Sequence, residues 1–377
     1  MTHKILGFFV PSSLVLTPLM SQPFRSIAII FWLMFIPLYY FRISKLKNFL
    51  WFMIISMILI SQSYYGLIYD FQLAILVLVP LLILAMQQFA ILGVGQLEFS
   101  EFKAGIGFGA FTINITTLIL FGMVTLNFIP LDYVYTAVGN DPEFGVARFT
   151  LGNAIEVPFM MTLCTIASCH SLKSKHSFML FIIVNLAVSL ISQSRGVILI
   201  SLLHFLSGKN RSSYTSKAMM ILVSFIAIYI YSDITLILWD QLVLRFGGED
   251  YGSGDIRQNM FVVVLDKITA TTLLVGNGLL SSSVLMISEY GGMQTAESSL
   301  LQILYEFGLF MTIWLFAPLG YICFRMARAK VLVLFYFAII VQYLLLIPIT
   351  PSFGLISILI LVIGNDILLT SRVTRKF

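Results

Sequence analysis

The sequence contains few charged residues and few cysteines. Asp, Glu, Lys and Arg make up 10% of its 377 residues, whereas a soluble globular protein carries about 25%. These polar side chains are too few to cover a surface in contact with water, so the composition excludes an ordinary soluble fold. The three cysteines lie in apolar segments without CxxC spacing, which indicates neither a disulfide framework nor a metal cluster.

Apolar residues make up most of the remainder. They account for 59% of the chain, and the mean hydropathy is +0.99. Because one membrane span needs about 20 apolar residues, the length predicts an all-α polytopic integral membrane protein with about 12 transmembrane helices. The predicted spans, which are bounded by charged residues, lie at about 5–20, 26–41, 48–64, 71–92, 104–126, 153–171, 218–238, 298–323, 331–349 and 352–370.

A further apolar segment, between Lys175 and Lys209, is divided by Ser192-Gln193-Ser194-Arg195. Basic residues flank both of its ends, so the chain is predicted to enter and return as two short helices at about 178–192 and 195–207. Helices of that length reach roughly 20–23 Å, less than the hydrocarbon core of about 30 Å. Arg195 is therefore predicted to lie below the external surface, where a charge is costly and marks a functional position.

The basic residues also predict the orientation of the chain. Most of the 22 Lys and Arg residues fall in segments assigned to the cytoplasm, in agreement with the positive-inside rule. Residues 1–377 then form a single membrane domain with both termini in the cytoplasm. Two external loops remain, a smaller one at 127–152 and a major one at 239–297. The net charge of +5 follows from this bias, and no basic face with interleaved aromatic residues indicates nucleic-acid binding.

The major external loop contains a glycine-rich turn that leads to Asp255, a good helix N-cap. An amphipathic helix of about a dozen residues is predicted to follow and to lie at the membrane interface. Arg257, in its first turn, is suited to bind an anion, because a guanidinium grips phosphate oxygens in bidentate fashion. Alternatively, Arg257 pairs with Asp250 or Asp255, or contacts lipid headgroups. The acidic residues of this loop match no calcium-loop spacing, so no metal site is predicted.

Glu297 stands where the major loop enters a hydrophobic helix. A carboxylate there could act as a general base, or could simply cap the helix together with Ser298. Glu306 lies nine residues later, on the other side of the helix, and is predicted to be a packing or partner carboxylate inside the bundle. All four histidines fall at cytoplasmic ends of spans, so external acid–base chemistry must use other groups. The run Gly105-Ile106-Gly107-Phe108-Gly109 is predicted to pack helices, and no cofactor is predicted.

Three motifs, in this order, resemble those of the bacterial O-antigen polymerase and ligase superfamily. They are Ser192-Gln193-Ser194-Arg195-Gly196 at the short helix pair, Gly254-Asp255-Ile256-Arg257 followed by Gly276-Asn277-Gly278, and the stretch from Glu297-Ser298-Ser299-Leu300-Leu301-Gln302 to Glu306-Phe307-Gly308. In the ligases the third motif typically begins with His-Asn, whereas Glu297 stands here. This difference favours a Wzy-type polymerase. The resemblance covers roughly 178–325.

The resemblance implies a glycosyltransferase-C-like membrane enzyme of lipopolysaccharide O-antigen biosynthesis. Such an enzyme joins undecaprenyl-diphosphate-linked oligosaccharide repeat units at the periplasmic face of the bacterial inner membrane, so 127–152 and 239–297 would be periplasmic, the latter catalytic. Arg195, Arg257 and Arg245 would bind the diphosphate, and Glu297 would act as base or orient the acceptor. Besides the lipid-linked donor and acceptor and the membrane lipids, a chain-length regulator (a polysaccharide co-polymerase) would be a partner.

Two alternative functions remain open from the sequence. An O-antigen ligase differs in its acceptor, and the missing external histidine counts against it. A lipid-linked oligosaccharide flippase, or another secondary transporter, also fits twelve helices. Neither inverted halves nor paired broken helices, which mark many transporters, are evident in the sequence.

Substituting either of two arginines tests the predicted diphosphate site. Arg195→Ala and Arg257→Ala are each expected to abolish chain lengthening while the protein still inserts. Removing one donor that stabilises developing charge typically lowers the rate by about 10²–10³-fold. Surface polysaccharide gels and immunoblots of membrane fractions measure the two effects. Normal polymer from both variants would remove the assignment.

Overall fold

The computed structural model describes residues 2–15, 46–90, 96–129, 149, 156–169, 175–192, 194–207, 262–290, 298–329, 332–346, 349 and 351–374. All regular secondary structure in these ranges is helical. The helices are α1 Thr2–Val15, α2 Leu46–Gln62, α3 Tyr64–Tyr69, α4 Phe71–Ala90, α5 Gln96–Thr125, α6 Glu156–Cys169, α7 Lys175–Ile191, α8 Arg195–Ser207, α9 Ala270–Val275, α10 Ser281–Tyr290, α11 Ser299–Ala329, α12 Val333–Leu346 and α13 Pro351–Thr374.

The predicted apolar spans correspond to helices wherever the chain is described. The two predicted spans at about 26–41 and 218–238 lie outside the described residues. Two consecutive helices occupy the position of the predicted pair. The bounds of α8, with 13 residues, agree, whereas α7 begins three residues earlier than predicted and has 17 residues. Two helical segments, 100–125 and 299–328, are long and apolar enough to cross a membrane.

Many large apolar side chains lie on the outside of the helices. Met57 and Phe310 are each 68% exposed, and Leu334 is 82% exposed. Soluble monomers rarely expose extended apolar patches, whereas helices that contact lipid do so along their whole length. The surface therefore agrees with the apolar composition.

Glycines bring α1 and α5 into close backbone contact. A Cβ atom at Gly105 would overlap the carbonyl of Lys4, and one at Gly109 would meet the carbonyl of Phe8. The residue numbers of the contacting positions increase in the same direction along both helices, so α1 and α5 run parallel. Gly107 faces a third helix, α6, through Ser168. The interpretation of this glycine run as a helix-packing motif is confirmed, and its physical basis is the close approach that small residues permit.

A buried ion pair joins the beginning of α5 to the end of α13. Lys103 Nζ donates to Asp366 Oδ2 at 2.6 Å, and the two side chains are 9% and 12% exposed. Near the same end of the bundle, His204 of α8 stacks on Phe335 of α12, with ring centroids 5.7 Å apart. We call this the Lys103 end.

At the opposite ends of α8 and α12, a second set of contacts forms. The side-chain amide of Gln342 in α12 lies against Gly196 of α8, so a Cβ atom at Gly196 would require this amide to move. Ser298 Oγ, just before α11, donates to the carbonyl of Leu344 at 3.1 Å. We call this the Arg195 end, after the first residue of α8.

The tight packing of α1 on α5 is testable with a matched pair of glycine variants. Gly105→Ala is expected to lower the free energy of unfolding by about 1–3 kcal/mol, because the new methyl group overpacks a backbone contact. Gly122→Ala, in the same helix, is the control, since no atom of the described residues lies within 4 Å of a Cβ there. Thermal unfolding in detergent micelles measures both. Equal melting temperatures for the two variants would contradict the packing.

Candidate functional site

The predicted site residues are only partly within the described chain. Arg195 is the first residue of α8, and its backbone is described. Arg245, Arg257 and Glu297 lie outside the described residues. The structure therefore shows the residues next to Arg195 and Glu297 in the chain, namely Gly196 and Ser298, and the helices that they contact at the Arg195 end.

The helix α11 is interrupted at Gly308. This residue has φ 77° and ψ 174°, a left-handed conformation that favours glycine. A Cβ at Gly308 would also overlap the carbonyl of Leu274 in α9. The helix thus divides into 299–307 and 309–329. The sequence shows no paired broken helices and does not predict this interruption, which the structure places where Gly308 packs against α9.

The Gly276-Asn277-Gly278 turn packs against the interruption. The backbone N–H of Asn277 donates to the carbonyl of Tyr305 at 2.9 Å, and that of Gly278 donates to the carbonyl of Glu306 at 2.8 Å. These carbonyls lie just before the break, where the regular helical hydrogen bonds stop. Broken helices are tolerated in an apolar environment when neighbouring protein groups satisfy the freed carbonyls. The turn supplies those groups.

The same turn is held from its other side by α2. The backbone N–H of Leu279 donates to the carbonyl of Gln62 at 3.2 Å. In return, Gln62 Nε2 donates to the carbonyl of Val275 at 3.0 Å. Within the turn region, Thr272 Oγ1 donates to Asn277 Oδ1 at 3.2 Å. The turn is therefore fixed between α2 and α11.

Glu306 is a fully buried carboxylate at this junction. Ser282 Oγ donates to its Oε1 at 2.5 Å, and the backbone of Leu280 and the amide of Gln302 also lie beside it. Its Oε2, and the Nε2 of Gln302, have no hydrogen-bond partner of normal geometry among the described residues. The expectation of a partnered carboxylate inside the bundle is confirmed, and its partner is Ser282.

The beginning of α11 and the beginning of α8 meet the same part of α12. Ser298 and Ser299 donate to the carbonyl of Leu344 at 3.1 and 3.2 Å, while Gly196 packs on Gln342. Ser298 directly follows Glu297, and Gly196 directly follows Arg195. Two motifs that lie far apart in the sequence thus meet at the last turns of one helix.

Part of the predicted amphipathic helix after Asp255 lies in the described chain. Residues 262–266 are helical. Val264 is completely buried in a small cluster with Met286, Leu301 and Tyr305, whereas Val262 and Leu265 are about half exposed. One apolar face of this segment therefore packs on α10 and α11.

The sequence assigns no role to Gln302, although this residue belongs to the third motif, and none to Ser282. Gln302 and Glu306 are spaced four residues apart in an otherwise apolar helix, so their position on one face is readable from the sequence. Gln302 Oε1 accepts from the backbone N–H of Ile349 at 3.2 Å, which only the structure shows. Ser282 stands between two other serines, and the sequence does not distinguish among the three.

The described frame offers hydrogen-bonding groups and a buried carboxylate. Among the described residues, no group of three or more His, Cys, Asp or Glu side chains could hold a metal ion.

Comparison with protein-family models, with curated proteins and with solved structures found no match for this chain. Its function must therefore be argued from its motifs and their geometry.

The bond between Ser282 and Glu306 is expected to hold the Gly-Asn-Gly turn in place. Ser282→Ala leaves a buried carboxylate oxygen without its partner, which costs about 1–3 kcal/mol. Hydrogen exchange of the 276–282 backbone should then be faster than in the parent protein. Ser288→Ala is the control, because Ser288 is exposed and, within the described ranges, its hydroxyl donates to the carbonyl of Leu285 in its own helix. Unchanged exchange in the first variant would rule out this role of the bond.

Proposed function

We propose that this protein is a glycosyltransferase of the bacterial inner membrane, a Wzy-type O-antigen polymerase. It joins undecaprenyl-diphosphate-linked repeat units at the periplasmic face. The observation that carries the proposal is that the described parts of the three family-like motifs pack on neighbouring helices: Gly196 and Ser298 both contact α12, and the Gly-Asn-Gly turn contacts α11. Residues 254–257 of the second motif lie outside the described residues. Its support is therefore the motif order together with the contacts of the described residues.

The described residues of the three motifs lie close enough together to contribute to one active site. The start of the third motif and the Ser-Arg-Gly motif both rest on α12, through Ser298 and Gly196. The Gly-Asn-Gly turn contacts the same helix α11 at Glu306. Eight residues separate Ser298 from Glu306, about 12 Å at a rise of 1.5 Å per residue. A lipid diphosphate with its first sugar spans a comparable length.

The chemistry requires a cation and a base on one side of the membrane. An acceptor hydroxyl attacks the anomeric carbon of the donor, and the bond from that carbon to the undecaprenyl diphosphate breaks. The diphosphate leaves with the bonding electron pair, and Arg195, Arg257 and Arg245 stabilise its charge. Glu297 accepts the hydroxyl proton as the new glycosidic bond forms.

Several features support the membrane setting. The two long apolar helices and the exposed apolar side chains suit contact with lipid. In addition, α1 and α5 correspond to the first and the fifth predicted spans, which must run in the same direction if spans alternate. Their parallel packing agrees with that requirement. The Lys103 end would then face the cytoplasm, together with both termini, and the Arg195 end would face the periplasm.

A lipid-linked oligosaccharide flippase is the second candidate, because broken helices are common in transporters. In transporters, however, the freed backbone groups line a substrate or ion site. Here the carbonyls of Tyr305 and Glu306 are bonded to the Gly-Asn-Gly turn. These two carbonyls are thus already hydrogen-bonded within the protein and are not available to a transported substrate. This favours a structural role of the break over a transport site.

Gene deletion followed by surface polysaccharide gels tests the proposal. We expect the ladder of long chains to disappear while a single repeat unit remains on the core. Loss of all O-antigen from the core, with accumulation of lipid-linked polymer, would instead indicate a ligase. Failure to present any repeat unit outside would indicate a flippase.

The same gels test the proposed base by complementation. Glu297→Gln is expected to leave the single-repeat pattern, because the amide cannot accept the proton. Glu289→Gln is the matched control, since Glu289 is exposed on α10 and lies 3.6 Å from Lys267. This control should restore the ladder. A full ladder from Glu297→Gln would remove the base from the mechanism.

A further inference from the structure

A stripe of polar side chains follows the buried face of α7. Asn185, Ser189 and Ser192 are spaced four and three residues apart, so they lie on one side of the helix. They are 4%, 1% and 0% exposed. The stripe ends at Ser192, directly before the turn that carries Arg195.

Asn185 connects this stripe to three other helices. Its Nδ2 donates to Thr162 Oγ1 of α6 and to Ser201 Oγ of α8, both at 3.1 Å. Its Oδ1 accepts from Asn114 Nδ2 of α5 at 3.2 Å. The hydroxyl groups of Ser189 and Ser201 lie 3.3 Å apart. One amide thus joins α5, α6, α7 and α8.

These bonds determine how the α7–α8 pair sits in the bundle. Apolar helices surrounded by lipid gain little from the hydrophobic effect, so close packing and polar contacts decide their register. The bond to Ser201 sets α8 against α7, and the bonds to Thr162 and Asn114 set the pair against α6 and α5. A slip along any of these helices would leave buried polar groups unpaired, which is costly.

We infer that Asn185 and Thr162 are positioning residues that hold the turn Ser194-Arg195-Gly196 at its place at the Arg195 end. This inference deepens the proposed function, because that turn is the proposed diphosphate site. The seven residues from Asn185 to Ser192 span about 10 Å of helix. Because α7 moves as a rigid body over this length, a shift of the helix at Asn185 also displaces the turn.

The experiment reports the position of the turn without reference to catalysis. Ser194→Cys is introduced together with Cys323→Ala, since Cys164 and Cys169 are buried and Cys323 is partly exposed. The rate of modification by a polar maleimide is measured on the full-length protein in lipid nanodiscs. Asn185→Leu and Thr162→Val are then added singly.

A matched control lies one turn further along α6. Thr165 is buried like Thr162, but among the described residues its hydroxyl bonds to the carbonyl of Met161 in the same helix, at 2.8 Å, and to no other helix. Thr165→Val therefore removes a hydroxyl of equal size without cutting a bond between helices. Thr162→Ser keeps the hydroxyl and serves as the conservative variant.

We expect Asn185→Leu and Thr162→Val to change the labelling rate about three- to twentyfold, the range that one interhelical polar contact in a membrane accounts for. Thr165→Val and Thr162→Ser should match the parent rate. If Asn185→Leu and Thr162→Val label like Thr165→Val, the inference is overturned. Polymer gels on the same variants are read separately. A normal ladder in the deletion strain would remove the proposed function while leaving the labelling result, and hence the positioning role, intact.

Discussion

The packing of α2, α9, α10 and α11 depends on the hydrogen bonds between the Gly-Asn-Gly turn and the interrupted α11. An interrupted helix in apolar surroundings is stable only if its freed carbonyls find donors. The backbone N–H groups of Asn277 and Gly278 are those donors, and glycine at 308 permits the break. Because α2 holds the turn from the other side through Gln62, one small junction fixes the relative positions of α2, α9, α10 and α11.

The frame of the proposed active site depends on a second shared support, the end of α12. Gly196 and Ser298 both rest there, so the motifs that contain Arg195 and Glu297 are anchored within two residues of each other along α12. A transferase of lipid diphosphates needs its cation and its base preorganised on the same side of the substrate. Anchoring both motifs to one rigid helix would supply that arrangement, while the outer surface remains apolar.

The helices themselves were largely predictable from the sequence. Apolar segments bounded by charges predict them, because every residue adds 1.5 Å and each backbone group must be satisfied within the helix. The short α7–α8 pair follows from the basic residues at both flanks. The role of the glycines was only partly predictable. Gly105 and Gly308 pack against backbone carbonyls, whereas no described atom lies within 4 Å of a Cβ at Gly122 or Gly320.

By itself, the sequence determined the all-helical class, the bounds of most described helices and the motifs that suggest a glycan polymerase. These are local properties, set by composition and spacing along the chain. Only the tertiary structure decided that α11 breaks at Gly308, that Ser282 is the partner of Glu306, and that Asn185 joins four helices. Each of these depends on a contact between residues distant in the chain, which local periodicity does not encode.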